Sequence, residues 1–275
     1  MSMRQGYSTR RRGSPVGRLL IAAVIAILSL VTYFGTRQDN PVTGEAQYID
    51  ITVDQEIALG LQAAPEMAAQ FGGLDPDPVA QDLVDEIGDH IVSSSPAGQS
   101  PYEFEFHLLE DDQTINAFAL PGGQIFITRG LLDALKTEGE LAAVLGHEIG
   151  HVVARHSAEQ IAKVKLTEGL TGAVVIASYD PENPSSMRTG QVAALIGQMI
   201  NMRFGREDEL ESDFLGVCLI KDAGYDPGEL ISVMQVLAQS SQGPEPPEFF
   251  STHPNPDRRI QRIEEAIRNV DACPE

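Results

Sequence analysis

Residues 142–156, "AAVLGHEIGHVVARH", set three histidines and a glutamate into an otherwise apolar run. Leu141, Leu145, Ile149 and Val152 fall at i, i+4, i+8 and i+11, the stripe of an amphipathic helix. His147 and His151 lie one turn apart on a different face, so both imidazoles can reach one metal ion, with Glu148 beside them. The pattern is His-Glu-x-x-His, in which the histidines hold zinc and the glutamate acts as a base toward water. The competing reading is a helix of hydrogen-bonded core histidines. Val144 and Val153 widen the apolar surface well beyond one stripe, and burying two imidazoles and a carboxylate without partners is costly. Gly146 and Gly150 each cost a helix about 1 kcal/mol relative to alanine, which predicts the close approach of a strand or a substrate backbone.

A catalytic zinc site needs a third protein ligand. The candidates lie in "RFGREDELESDFLGV", residues 203–217, where Glu207, Glu209 and Glu211 compete. Acids also suit the start of a helix through its dipole. Glu209 and Asp213 share a face at i, i+4, so the glutamate can bind the metal while the aspartate orients a ligand histidine. That pairing selects Glu209 over Glu211. His156 is read as structural, because the metal already has three partners, and Arg206 as a surface pairing residue, with a site-facing position as the alternative. His90 and His107 carry no argument.

Charge is unevenly placed along the 275 residues. Residues 1–37 hold six arginines and no acid, which leaves 13 basic and 40 acidic residues beyond them. So acidic a body is repelled by phosphate backbones, and nucleic acid is excluded as a partner. The sixteen residues from Leu19 to Phe34 are uncharged. With their neighbours they approach the roughly 20 residues of a membrane span. No small-x-small cleavage site follows, so the segment is read as an uncleaved signal anchor, and the arginines before it place the N-terminus in the cytoplasm.

The expected organisation is a basic cytoplasmic tail (1–18), a signal anchor (19–35), a polar linker (36–48) and a zinc metallopeptidase domain (49–272). Thr52 and Gln55 form a capping box ahead of Ile57, Leu61, Ala64 and Ala68 at helical spacing, and Val79, Leu83, Ile87 and Ile91 repeat that period. Residues 102–112, 114–123 and 124–130 alternate or run apolar between turn signals, predicting three short strands. From Leu131 the pattern is helical almost to the end, which makes an α+β domain, mostly helical with a small sheet. The apolar stretches 166–178 and 190–202 are too short to span a bilayer and are read as core helices, with a lid or membrane-resting pair as the alternative. Cys218 and Cys273 are open between a disulfide and two unrelated thiols.

"HEIGH" followed by "ELESD" gives the Glu-x-x-x-Asp spacing of the gluzincins. Residues 48–270 resemble their membrane-associated branch, which includes HtpX, the CAAX prenyl proteases and the periplasmic β-barrel assembly-enhancing protease. The resemblance implies a zincin-like fold with one Zn2+ per chain, held by His147, His151 and Glu209, with Asp213 behind them and Glu148 as general base. It implies a zinc metalloendopeptidase acting on unfolded or misfolded envelope proteins, anchored by one pass in the inner membrane with its catalytic domain on the periplasmic side. "NAFALPGGQIFITRGLL" looks like the family's edge strand, where the backbone of Asn116 and Ala117 would pair with an extended substrate. "STHPNPDRRI" resembles a C-terminal His-Pro motif, making His253 a second donor to the oxyanion or a plug in the open zinc position, with a loop histidine beside Pro254 as the alternative. One departure is Ser212, where the family usually has alanine. The chain ends too soon for the repeats found in periplasmic relatives, and a single candidate span argues against prenyl-protein processing. The rival function is a non-hydrolytic, zinc-containing membrane-anchored chaperone or adaptor with a vestigial Glu148.

Overall fold

A computed structural model describes residues 15–178, 204–240, 247–253 and 259–274. The first helix, α1 (Pro15–Gly35), contains the 20-residue apolar stretch Val16–Gly35, long enough to cross a membrane. Its side chains face outward, Leu20 and Val31 each being 63% exposed, so no protein core accounts for their apolarity.

Residues read as a polar linker fold instead into a small antiparallel hairpin, β1 (Arg37–Asp39) and β2 (Ala46–Tyr48). The reading failed because the turn is built from Asn40, whose side chain accepts from the N–H groups of Val42 and Thr43. Local bonds of this kind carry no apolar signal.

Helix α2 (Val53–Gln70) begins at the expected capping box of Thr52 and Gln55. Its buried face is Glu56, Gly60, Ala63 and Met67, while Leu61 is half exposed. Helix α3 (Pro78–Ser94) starts from Asp77, which caps Val79 and Ala80 N–H. Val79 is therefore in the first turn and exposed, and Val84, Ile87 and Ile91 pack inward. The three strands form where expected, as β3 (Glu105–Leu109), β4 (Ala117–Ala119) and β5 (Gln124–Thr128). Their order is β3-β5-β4, with β3 parallel and β4 antiparallel to β5, leaving β4 at an edge. Gly122 and Gly123 turn the chain between β4 and β5 with φ of +84° and +105°, a conformation open to glycine.

The remaining helices are α4 (Arg129–Ala134), α5 (Glu138–Val153), α6 (His156–Ser178), α7 (Arg206–Asp222), α8 (Glu229–Ser240), α9 (Phe249–Thr252) and α10 (Arg259–Arg268). One face of the sheet, through Ala117, Ala119, Ile125 and Ile127, joins the core of Leu141, Leu145 and Ile149 on α5. The other face, through Phe118, Leu120 and Phe126, packs with Ala63, Met67 and Ile161. The helix-rich architecture with one small core sheet is the α+β arrangement expected. Residues 190–202 lie outside the described residues, and residues 166–178 form the distal half of α6, beside α1.

Two further features fix α5. At its C-terminal end, the buried amides of Asn40 and Gln47 donate to the carbonyls of Val153, at 2.8 Å, and Ala154. These are carbonyls that a helix leaves without partners. Along its length α5 is crossed by α7. A Cβ on Gly150 would come within 2.8 Å of Ser212 Oγ, and one on Gly216 within 3.1 Å of His147 N. The predicted close approach at Gly146 and Gly150 is real, but a helix makes it. Cys218 and Cys273 are joined in a disulfide, tying α7 to the chain's C-terminal end.

Candidate metal centre and active site

Every residue of α5 from Glu140 to Val153 is buried, the two histidines and Glu148 included. His147 Nε2 and His151 Nε2 lie 3.1 Å apart. Helix α7 brings Glu209 against them, its carboxylate oxygens 3.5 Å from His151 Nε2 and 3.7 Å from His147 Nε2. His253, just beyond α9, completes the group with Nδ1 3.0 Å from Glu209 Oε1 and 3.4 Å from His147 Nε2.

These donor atoms fit a metal ion. Four ligands at the usual zinc distances of about 2.0–2.2 Å, placed tetrahedrally, would be separated by roughly 3.3–3.6 Å. The observed spacings of 3.0–3.7 Å bracket that value. Charge gives the same result. Glu148, Glu209 and Asp213 face one buried guanidinium, Arg259. The carboxylates outnumber the guanidinium, and buried negative charge without compensation is strongly disfavoured, which suits a cation at this position.

The carboxylates that competed for the third ligand separate cleanly. Glu209 joins the histidines, whereas Glu211 Oε2 lies 3.3 Å from His156 Nε2. His156 in turn places Nδ1 2.8 Å from His151 Nδ1, behind the donor atom, which is a supporting position. Asp213 Oδ1 sits 3.0 Å from His147 Nδ1, where a carboxylate fixes the ring's orientation. Arg206 is exposed at the start of α7.

Arg259 was not singled out from the sequence. It is 2% exposed and donates to Asp213 from Nε at 2.7 Å and from Nη2 at 2.8 Å, while Nη1 lies 3.1 Å from Glu209 Oε2. The available signal was that Arg259, Ile263 and Ala266 fall at i, i+4 and i+7, which puts the arginine on the buried stripe of α10.

Burial pushes the Glu148 carboxyl above its ordinary range, toward the value a base needs near neutral pH. Burial likewise lowers His151 well below the usual imidazole value, keeping it neutral and able to donate a lone pair. For Glu209, burial works upward, but His253 and His151 facing it hold it well below the carboxylate range. Asp213 shows the same contest, with Arg259 and His147 outweighing burial. His253 is opposed by burial and raised by Glu209 and Glu148. Both oxygens of Glu148 and Nε2 of His253 lack hydrogen-bond partners among the described residues.

The edge strand differs from expectation in one respect. Asn116 donates its N–H to Thr128 Oγ1 at 3.1 Å and accepts from Thr128 N–H at 3.0 Å, so its backbone is already committed. By the alternation of an antiparallel ladder, Ala117 and Ala119 turn their main-chain groups to the open side. What Asn116 offers is its buried Oδ1, which has no hydrogen-bond partner among the described residues, in a side chain that lines a cavity with Met67, Phe71, Phe118, Phe204 and His253. At the same edge, Ile115 C=O accepts from Phe249 N–H at 3.1 Å. The segment carrying His253 is therefore docked where an extended chain would lie.

Comparison with known proteins follows the same lines. Residues 78–267 match the model of peptidase family M48. The chain is similar to the mitochondrial metalloendopeptidase OMA1 of Schizosaccharomyces pombe, at 33% identity over 86% of this chain and 68% of that protein. It is also similar to the β-barrel assembly-enhancing proteases of Yersinia pestis (33% identity, 80% of this chain, 45% of that one) and Escherichia coli (28%, 88% and 50%). The chain thus spans about half the length of these bacterial relatives. From the match over residues 78–267 and these likenesses, the chain belongs to peptidase family M48, a family of metallopeptidases.

Proposed function

We propose that the chain is a zinc-dependent endopeptidase, held latent by His253, that hydrolyses extended segments of unfolded or misfolded proteins outside the cytoplasmic membrane. The observation that carries this reading is the convergence of His147, His151 and Glu209 beside a buried Glu148 whose two oxygens accept no hydrogen bond among the described residues. His147, His151 and Glu209 would hold the zinc, with Asp213 orienting His147. The ion, when bound, supplies Lewis acidity toward water and the scissile carbonyl.

Glu148 takes the proton from the attacking water and delivers it to the leaving amine, a role that its raised pKa suits. The open side of Ala117 and Ala119 pairs with the substrate backbone, which selects for extended, unfolded chain rather than for sequence. His253 supplies a fourth donor where a catalytic centre keeps an open position. Its release, together with that of Phe249 from Ile115, would free the ligand position and the strand edge at once. Envelope substrates and an extracytoplasmic site rest on the basic tail before α1 and on the names of the bacterial relatives.

The test is degradation of casein by the zinc-loaded full chain in detergent, beside Glu148→Gln and His253→Ala. The reading expects more cleavage with His253→Ala than with the parent, and none when Glu148→Gln is added, at unchanged zinc content. Silence from His253→Ala with zinc bound would favour the non-hydrolytic adaptor.

A further inference from the structure

The distal half of α6 sits in an unusual place. Helix α6 leaves the metal centre at His156 and runs for 23 residues. Its extended packing is against α1, with shorter contacts to α5 and β2. The two helices approach closely, since a Cβ on Gly169 would fall 2.4 Å from Ser29 Oγ. They are also antiparallel: Lys163 acts electrostatically on Tyr33, whereas Gly169, farther along α6, meets Ser29, farther back along α1.

The sequence of α6 divides partway along this packing, at Gly169 opposite Ser29. Glu159, Lys163, Lys165 and Glu168 all fall in its first 13 residues, and the ten from Gly169 to Ser178 carry no charge. The dividing level on α1 is marked by an aromatic cluster. Tyr33 stacks on Tyr48 at 5.0 Å between ring centroids, and Phe34 packs edge-on to Tyr48 at 5.8 Å. Lys165 pairs with Asp50 at 2.9 Å close by. Aromatic rings and lysines at one level are the composition of a membrane–water boundary.

We infer that the distal part of α6, residues 169–178, is inserted into the lipid bilayer beside α1, antiparallel to it. This inference rests on the reading of α1 as a membrane span and adds a second membrane element to it. Ten residues at about 1.5 Å each carry the helix some 15 Å inward, about half of a hydrocarbon core of roughly 30 Å. A helix can enter lipid because its backbone bonds are internal, and a small residue such as Gly169 lets two helices pack there without an aqueous hydrophobic drive. The occupant of the apolar surface is lipid, because this half of α6 continues along a helix whose own apolar side chains are already exposed at both levels.

The chain contains no tryptophan, so single tryptophans report without background. The full chain would be reconstituted into phosphatidylcholine vesicles whose acyl chains carry bromine at carbons 11 and 12, or at carbons 6 and 7. Val175→Trp should be quenched at least half as strongly as Leu28→Trp, and Val79→Trp, on an exposed turn of α3, should not respond. Leu170→Trp should favour the shallower bromines relative to Val175→Trp. Quenching of Leu28→Trp with none at either α6 position overturns the proposal while leaving the anchor intact. Absence of quenching at Leu28→Trp overturns both, and neither result bears on the peptidase reading.

Discussion

Two clusters of buried charge flank the junction of α5 and α6, and they are built in opposite ways. In one, Glu56 accepts from Arg155 Nε at 3.0 Å with one oxygen and from the Tyr102 hydroxyl at 2.8 Å with the other. Arg155, held at φ 59°, also reaches Gln38 and the Ile51 carbonyl. This cluster closes on itself. In the other, neither oxygen of Glu148 nor Nε2 of His253 has a hydrogen bond among the described residues, and the two groups face each other at 3.5 Å. Both clusters are buried, so burial alone does not mark function. Unfilled bonding capacity does, because it is tolerated where something outside the chain fills it.

The comparison can be broken experimentally, and the largest effect is expected in the closed cluster. Glu56→Ala leaves the Arg155 guanidinium buried and unpaired, which should destabilise the fold by about 3–5 kcal/mol in denaturant titrations. Metal content of the folded fraction should not change. In the open cluster, Asp213→Asn should lower zinc affinity about 10–100-fold in competition with a chromogenic chelator. A fall in stability with no change in affinity would make Asp213 a packing residue.

Asn40→Ala removes the donor to Val153 C=O at the end of α5, and a loss of about 1–2 kcal/mol is expected. The smallest effect is the sharpest. In the presence of chelator, Glu148→Gln should unfold within about 0.5 kcal/mol of the parent, because no hydrogen bond is lost among the described residues and relief of a buried carboxylate offsets the loss of its 3.5 Å approach to His253 Nε2. A loss comparable to that of Glu56→Ala would mean that Glu148 belongs to a closed structural network after all.

Much of this arrangement is legible in the residue order, for a physical reason. Helix periods, the Thr52–Gln55 box and the His147–His151 spacing are local properties, set within one or two turns. The three strands were legible likewise, but the parallel pairing of β3 with β5 was not, since it joins residues about 20 apart in sequence across the intervening edge strand. Val79 was misassigned because the cap at Asp77, which starts α3 only one residue before Pro78, leaves it in an open first turn. The hairpin at residues 37–48 was missed because its stability comes from amide side chains reaching α5 more than 100 residues away. In the site, i, i+4 logic favoured Glu209, the carboxylate that the fold sets beside His147 and His151, while Glu211 faces His156. Arg259 was hidden because an arginine in a surface-like helix looks solvated until its carboxylate partners on α7 are placed. The pairing of Cys218 with Cys273 depended on the same long-range packing.

The crossing of α5 and α7 has a consequence for how the metal site can vary. His147 and His151 ride on one helix and Glu209 on the other. The distance between the helices is set where Gly146 and Gly150 meet Ser212 and Gly216. At Gly150 and Gly216 the main chain of one helix closes on that of the other, with the Ser212 hydroxyl and the Ile220 methyl filling the remaining gap, so the spacing of the candidate ligands is gauged largely by the backbone. Leucines and isoleucines between α5 and the sheet can be exchanged for one another without widening or narrowing that spacing. The spacing of the four candidate donors and the composition of the core are thereby separable traits of this chain, open to independent change.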